Sequence, residues 1–485
     1  MPASPVYSQG GNTLSVHVSL HADNRGRLLT RLRANQDVPA GAIVLLEGGK
    51  DINQYCTDIE LVFRQESFFM WTFGVELPGF YGAVAVDTGK TVLFAPKIPE
   101  AYIVYMGDLP SNEVLKERYA VDEVHYVEEI VTVLEAMKPS TLLTLKGVNS
   151  DSGLTSHEAV FDGIDKFKVN NALLYPEICE CRVFKSAGEL EILRYVCALS
   201  CEAHKDVMRK AQPGLMEYQL ESTFRYHVYY HGGCRKVAYT CICASGHNSS
   251  VLHYGHAGAP NNRQIQDGDI CTLDMGGEYY GYAADITIAF PANGKFTADQ
   301  RIIYETVLKA NHAVLNAMKP GVLWPDMHCL AERTILEELK RHGLVQGDVD
   351  EMMKVYLGAV FMPHGLGHFL GCDTHDVGGY PKGVERIQRP GIRNLRTARV
   401  LEAGMVITVE PGCYFIAATL EPALKDPQMK QFLCPDVLER FKSFGGVRIE
   451  DNVLVTENGA ENLTAFVPRE VAEIETLMAE GQSTD

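Results

Sequence analysis

"CTLDMGGEYYGYAADITIAF", residues 271–290, contains two strand-like runs around a turn rich in Gly and Tyr. Each run carries one aspartate, Asp274 and Asp285. Aspartate is depleted in strands and costly to bury without a partner. Side chains alternate along a strand, so Cys271, Leu273 and Met275 share one face while Thr272 and Asp274 share the other. In the second run Ile286, Ile288 and Phe290 oppose Asp285, Thr287 and Ala289. A hairpin of the two sets both carboxylates on one face. There they must meet water, a cation or a metal.

The same arrangement recurs further along. In "MVITVEPGCYF" (405–415) Met405, Ile407 and Val409 oppose Glu410. In "GGVRIEDNVLV" (445–455) Val447 and Ile449 oppose Arg448 and Glu450. One acid opposite a greasy face is a solvated sheet surface; four in the same half of a chain point to a shared site. "MPHGLGHFLGCDTHDVGG" (362–379) adds His364, His368 and His375. The 364/368 spacing fits a zinc pair on a helix, but the interleaved glycines favour a loop. Carboxylates with an imidazole make a hard, oxygen-rich donor set. It suits manganese, cobalt, iron or zinc, and two ions better than one, because two divalent cations offset four negative charges.

The chain has 485 residues, more than one compact core holds, so roughly two to four domains are expected. Hydrophobic residues make up 46% and charged residues 22%, an ordinary globular balance that excludes wholesale disorder. A net charge of −18 argues against a nucleic-acid partner, which needs a basic face. The 13 cysteines include no CxxC pair; Cys179/Cys181 and Cys241/Cys243 have poor spacing for a zinc knuckle. "MPASPVYSQGGN" (1–12) lacks the charged start and apolar run of a signal peptide. No apolar run reaches the roughly 18 residues of a membrane span. A cytoplasmic protein with reduced thiols and no membrane partner is expected.

The first third reads as α/β. "AIVLLEG" (42–48) is a buried strand, "YGAVAVDTGKTVLFAP" (81–96) a hairpin, "VEEIVTVLEAMK" (127–138) a helix and "TLLTLKG" (141–147) a further strand. A long amphipathic helix follows from Ala187 to near Pro213, then a helix over "EYQLESTFRYHVYYHGG". "VAYTCICASG" and "SVLHYG" read as strand-rich, and 297–318 as a helix ending before Lys319-Pro320-Gly321. The boundary is placed near Phe184, giving domains 1–183 and 184–485.

Asp274, Asp285, His368, Glu410 and Glu450, in that order on those motifs, resemble the ligand set of the pita-bread metallopeptidases. "YTCICASGHNSSVLHYGHAGAPNNR", "LDMGGEYYGYAADITIAFPANGKFTADQ", "HGLGHFLG" and "GGVRIED" carry the resemblance, which is nearest to the eukaryotic branch that cleaves Xaa-Pro dipeptides. "FRQESFFMWTFGV" (63–75) extends it into the first domain. Cys372 and Thr374, between His368 and His375, and Cys413 after Glu410 depart mildly from the family pattern; thiols beside a metal would add oxidation sensitivity.

The resemblance implies an α+β protein: a creatinase-type α/β domain, then a curved, mainly antiparallel sheet covered by helices. It implies two divalent metal ions, manganese by family expectation. Residues matching Asp285 and Glu450 would bridge them, Asp274 would complete one, and His368 with Glu410 the other. A hydroxide shared by the two ions would be the nucleophile on the scissile carbonyl. Glu410 would also shuttle a proton, His375 would steady the developing oxyanion, and His253 would stand at the leaving-group side. Arg396 would bind the dipeptide carboxylate and Arg448 would steady the carboxylates and touch substrate; His256 and His364 are read as structural. The expected partner is a small dipeptide, the expected assembly a homodimer, and the expected setting the turnover of proline-rich chains such as collagen. Two rival readings are aminopeptidase P-like cleavage of longer Xaa-Pro peptides and a metal-free binding protein on the same fold. A creatinase-like amidinohydrolase is disfavoured by the intact ligand set.

Overall fold

A computed structural model describes residues 5–482. Met1–Ser4, the start of the segment read for a signal peptide, lie outside the described residues. The chain divides into two compact units between Glu189 and Leu190.

In the first unit six strands form one mixed sheet, ordered Glu123–Tyr126, Thr91–Ala95, Tyr81–Ala85, Ala42–Glu47, Thr141–Thr144 and Val169–Asn170. The middle three run antiparallel and the flanking pairs parallel. Burial on both faces explains the unbroken apolar run of residues 42–46. Ile43, Leu45, Ala83, Val92, Phe94 and Leu142 pack with Ile130 and Leu134 of the helix Ile130–Met137. Trp71 lies fully buried on the helix Ser67–Phe73, and its indole Nε1 donates to Glu189 Oε1 at 2.9 Å.

The second unit holds the long helices Ala187–Lys210 (its first residues belong to the first unit), Glu217–Gly232, Ala298–Ala317 and Trp324–Arg341. Helix Ala298–Ala317 starts at a capping box: Thr297 accepts from Gln300 N and Gln300 accepts from Thr297 N. Its sheets are small and antiparallel. Ile242–Ser245, Ile270–Asp274 and Thr287–Pro291 make one, with Thr272 opposite Ala289 and Asp274 opposite Thr287. Directly opposed residues share a face, so the acid-bearing sides of both strands coincide.

The connection between those two strands is more than a turn. Met275 pairs with Ile286, then the chain leaves this sheet and builds a second hairpin from Gly277–Tyr279 and Tyr282–Ala283. Tyr280 and Gly281 close it in two residues, both with positive φ (47° and 75°), the backbone that a tight hairpin with right-handed twist requires. Ser250–Gly255, expected to be strand-rich, is instead a succession of turns. Its Ser, His and Gly bond locally, as where Ser250 Oγ donates to His247 O.

Val406–Val409 pairs with Asp451–Thr456, which pairs with Gly459–Asn462; Gly412–Tyr414 pairs with Gly446–Arg448. Glu450 N donates to Thr287 O at 3.1 Å and Thr272 Oγ1 to Gly446 O at 3.0 Å. These bonds stitch the strands bearing Glu450 to those bearing Asp274 and Asp285. No helix among the described residues is long and apolar enough to cross a membrane, and all 13 cysteines are free.

Candidate metal centre

The greasy faces of the four acid-bearing strands turn into the core, and the polar faces converge. Asp274, Asp285 and Glu450 form one group whose ligand atoms lie within 4.8 Å of one another, and His368, Glu410 and Glu450 form another. Glu450 is common to both. His375 joins Asp285 and His368 in a third group, its ring edge-on to His368 at 4.4 Å. Asp274, Asp285, His368 and Glu450 are buried, Glu450 with 1% exposure, and Glu410 is partly open.

Each ligand candidate is held through its own backbone. Asp285 N donates to Asn452 Oδ1 at 3.0 Å, and Asn452 Nδ2 donates back to Asp285 O. Glu410 N donates to Leu366 O at 2.8 Å. His368 N donates to Thr408 Oγ1 at 3.0 Å, and Thr408 N donates to His368 O at 2.9 Å. That pairing explains the glycines of "HGLGH". A Cβ on Gly367 would lie 1.9 Å from Thr408 O, and one on Gly365 would lie 2.8 Å from Leu395 Cα. The loop approaches so closely that only glycine fits.

His368 Nδ1 bonds Phe369 O at 2.9 Å, which leaves Nε2 facing Asp285 Oδ2 at 3.3 Å and Glu410 Oε1 at 3.6 Å. A carbonyl on one ring nitrogen fixes the tautomer and aims the other at the acids. Burial opposes protonation of His368, but Asp285 and Glu410 outweigh it and raise its pKa.

The acids are in the opposite predicament. Burial first, then mutual repulsion among Asp285, Glu410 and Asp274, drives Glu450 well above its ordinary value. Burial followed by Asp274 raises Asp285. Burial also pushes Glu410 up to about 7. Four carboxylates converging on one buried volume need compensating positive charge. Arg448 supplies part of it: Nη2 bonds Asp274 Oδ2 at 2.7 Å, Nε bonds Thr287 Oγ1 at 3.0 Å, and Nη1 bonds Tyr414 OH at 2.9 Å. One guanidinium and one imidazole cannot balance four acids, and oxygen donors with a single imidazole nitrogen match a divalent transition ion. The donor set fits one or two such ions.

His253, on the turn after Ser250, and His375 keep part of their surface in solvent while the ring is partly enclosed; Arg396 is half-buried. Burial of the ring, then Arg448, depresses protonation of His253, with Arg396 acting in the same sense. Burial of the ring face, then His368, Arg396 and His253, does the same to His375. His253, His375 and Arg396 therefore lie within electrostatic reach of one another beside the acids. His256 is exposed, and its Nδ1 accepts from Gly258 N. His364 is nearer the centre: Nδ1 bonds Gly365 O at 2.8 Å, and Nε2 bonds the Tyr414 hydroxyl that also receives Arg448.

Tyr239, Tyr414, Thr287, Thr408 and Asn452 were not picked out as site residues by sequence. Tyr239 OH bonds Asp274 Oδ1 at 2.5 Å, and Thr287 Oγ1 bonds Glu450 Oε2 at 2.7 Å. Thr287 lies on the acid face by strand alternation alone; Tyr239 gives no such signal, because it arrives from a segment 35 residues away. The oxidation sensitivity expected of Cys413 does not follow: the residue is fully buried and burial raises its pKa, so it stays an unreactive thiol. Cys372 is half-buried.

The model of metallopeptidase family M24 matches residues 191–457, and that of the aminopeptidase P N-terminal domain matches residues 21–143. Human Xaa-Pro dipeptidase is 60% identical over 475 residues, 98% of this chain and 96% of its own. The aminopeptidase PepP of Pseudomonas aeruginosa superposes with a TM-score of 0.77 at 31% identity, over 96% of this chain and 99% of that one. Escherichia coli aminopeptidase P with the inhibitor Pro-Leu gives the same TM-score at 28% identity and the same coverage. With a family model matched over more than half of its length, this chain belongs to metallopeptidase family M24.

Proposed function

We infer that this chain hydrolyses Xaa-Pro dipeptides and releases the C-terminal proline. The observation that carries the reading is the convergence of four carboxylates and His368 on one buried face, in a chain 60% identical along nearly its whole length to human Xaa-Pro dipeptidase. Asp274, Asp285 and Glu450 would hold one divalent ion and His368, Glu410 and Glu450 the other, with Asp285 shared. Manganese is the ion we propose. Bound there, such ions lower the pKa of water and polarise a substrate carbonyl.

The remaining steps belong to the chain's own side chains. Glu410, the most open of the acids, takes a proton from the attacking water and passes it to the departing proline nitrogen. His375 donates to the carbonyl oxygen as charge develops there. His253 faces the leaving-group side. Arg396 pairs with the dipeptide carboxylate through two parallel hydrogen bonds. Arg448 holds Asp274 in place and lines the substrate side of the acids. The Xaa-Pro bond lacks an N–H, so recognition rests on these groups rather than on strand addition. We propose the division 1–183 and 184–485, a homodimer, a cytoplasmic location and a part in the turnover of proline-rich chains such as collagen.

The likeness to solved aminopeptidase P structures favours a second reading, cleavage of longer Xaa-Pro peptides. The test removes metal with a chelator, restores manganese, and assays Gly-Pro beside Gly-Pro-Ala. Cleavage of the dipeptide alone is expected. Comparable cleavage of the tripeptide establishes the second reading, and no cleavage of either overturns both.

A further inference from the structure

The helix Glu217–Gly232 carries a second constellation of metal-binding chemistry, apart from the acids of the centre. His227 and His231 stand four residues apart, with ring centroids 4.7 Å apart. Residues at this spacing lie on one helix face, and paired imidazoles so placed are a two-point ligand for a divalent ion. His231 is exposed and the His227 side chain is 18% exposed, so an ion reaches both from solvent. Asp206, on the helix Ala187–Lys210, places Oδ2 3.6 Å from His227 Nδ1. A carboxylate facing Nδ1 favours the tautomer whose Nε2 lone pair is free for a metal.

Two further features suit a cation here. His231 occupies the last turn of its helix, where the negative end of the macrodipole favours positive charge. Its ring stands edge-on to Tyr226 at 6.0 Å and to Tyr230 at 4.9 Å. Burial lowers the pKa of His227; Asp206 opposes this and His231 adds to it.

We propose that His227 and His231 form a surface site for a borderline transition ion, nickel, copper or zinc, with water completing its coordination. Among the described residues no third side chain closes this site. Manganese stands lowest in the affinity order for such donors, so it does not compete with nickel for the imidazole pair, and the surface site is counted as the nickel taken up beyond any that replaces manganese at the centre.

The test titrates nickel(II) into the manganese-loaded, full-length protein by calorimetry, while electron paramagnetic resonance monitors released manganese. One saturable equivalent of nickel that displaces no manganese is expected. His231→Ala and His227→Ala each abolish it. Asp206→Asn weakens it by about 10–100-fold, and His312→Ala, an exposed lone histidine, leaves it unchanged. Because His231 is exposed on a terminal turn, His231→Ala keeps its fold even if His227→Ala does not. Unaltered nickel uptake in His231→Ala, uptake only with manganese release, or no saturable uptake overturns the proposal.

Discussion

Arg448 Nη2 and Asp274 Oδ2 are 2.7 Å apart, with both side chains largely removed from solvent. Each comes from a different sheet, and Thr287 joins the pair to Glu450: its hydroxyl accepts from Arg448 Nε and donates to Glu450 Oε2. The guanidinium is thus a fixed cation inside a cluster of acids. Removing one partner of a buried ion pair leaves the other uncompensated, at about 3–5 kcal/mol. Arg448→Met is expected to lower the stability of the metal-free protein by that order, and added manganese to restore part of it. Thermal melting with and without manganese checks this; a loss that ignores manganese would reduce Arg448 to a packing role.

Asp274→Asn and Glu450→Gln each remove a charge from the candidate ligand set. Both are expected to abolish turnover through loss of bound metal, with circular dichroism close to the parent. Metal content by mass spectrometry of the dialysed proteins gives the answer. A variant with near-parental turnover would sink the dinuclear reading.

Tyr239→Phe deletes only the hydroxyl that bonds Asp274 Oδ1. Loss of a hydrogen-bond partner behind a metal ligand typically costs about 10–100-fold in metal affinity or activity. The variant is expected to need correspondingly more manganese for half-maximal activity while keeping its fold. An unchanged manganese requirement would show that Tyr239 does not position Asp274.

Gly276→Ala tests the close approach that sets the two aspartates side by side. A Cβ there would lie 1.7 Å from Ala284 O, between Asp274 and Asp285 in the hairpin. The backbone must separate, so metal retention is expected to fall sharply while the first unit stays folded. The fluorescence of Trp71 in a Trp324→Phe background, set against metal content, distinguishes the two effects.

His21 makes the first unit sensitive to mild acid. Burial pushes its pKa from 6.5 down to about 4, against the bond to Trp71 O. The unfolded chain therefore binds the proton first. Stability is complete above about pH 6.5 and falls by about 3 kcal/mol as pH drops towards 4. Glu47 acts lower: burial opposes its ionisation, but Lys50 and Val160 N outweigh it, so its contribution is lost only below its ordinary value of 4.5. Urea unfolding followed by Trp71 in a Trp324→Phe background should show the steeper loss between pH 6.5 and 4.5, flattened by His21→Gln. Equal slopes in the two proteins would remove His21 from this role.

Strand alternation alone put Asp274, Asp285, Glu410 and Glu450 opposite apolar faces, because a period of two is a local property. The helices from Ala187, Glu217 and Thr297 were legible for the same reason. Alternation misled at Ser250–Gly255, where polar side chains bond the local backbone and no neighbouring strand is paired. It also left out the inner hairpin Gly277–Ala283, whose turn depends on positive φ at Tyr280 as well as Gly281. What the sequence by itself determined was which side chains share a face within each strand. Only the tertiary structure decided which faces meet. Tyr239 on Asp274, Tyr414 between Arg448 and His364, and Asn452 clamping Asp285 are contacts between segments distant in the chain. Such pairings follow from sheet register and close backbone packing around glycine, and no local pattern encodes them.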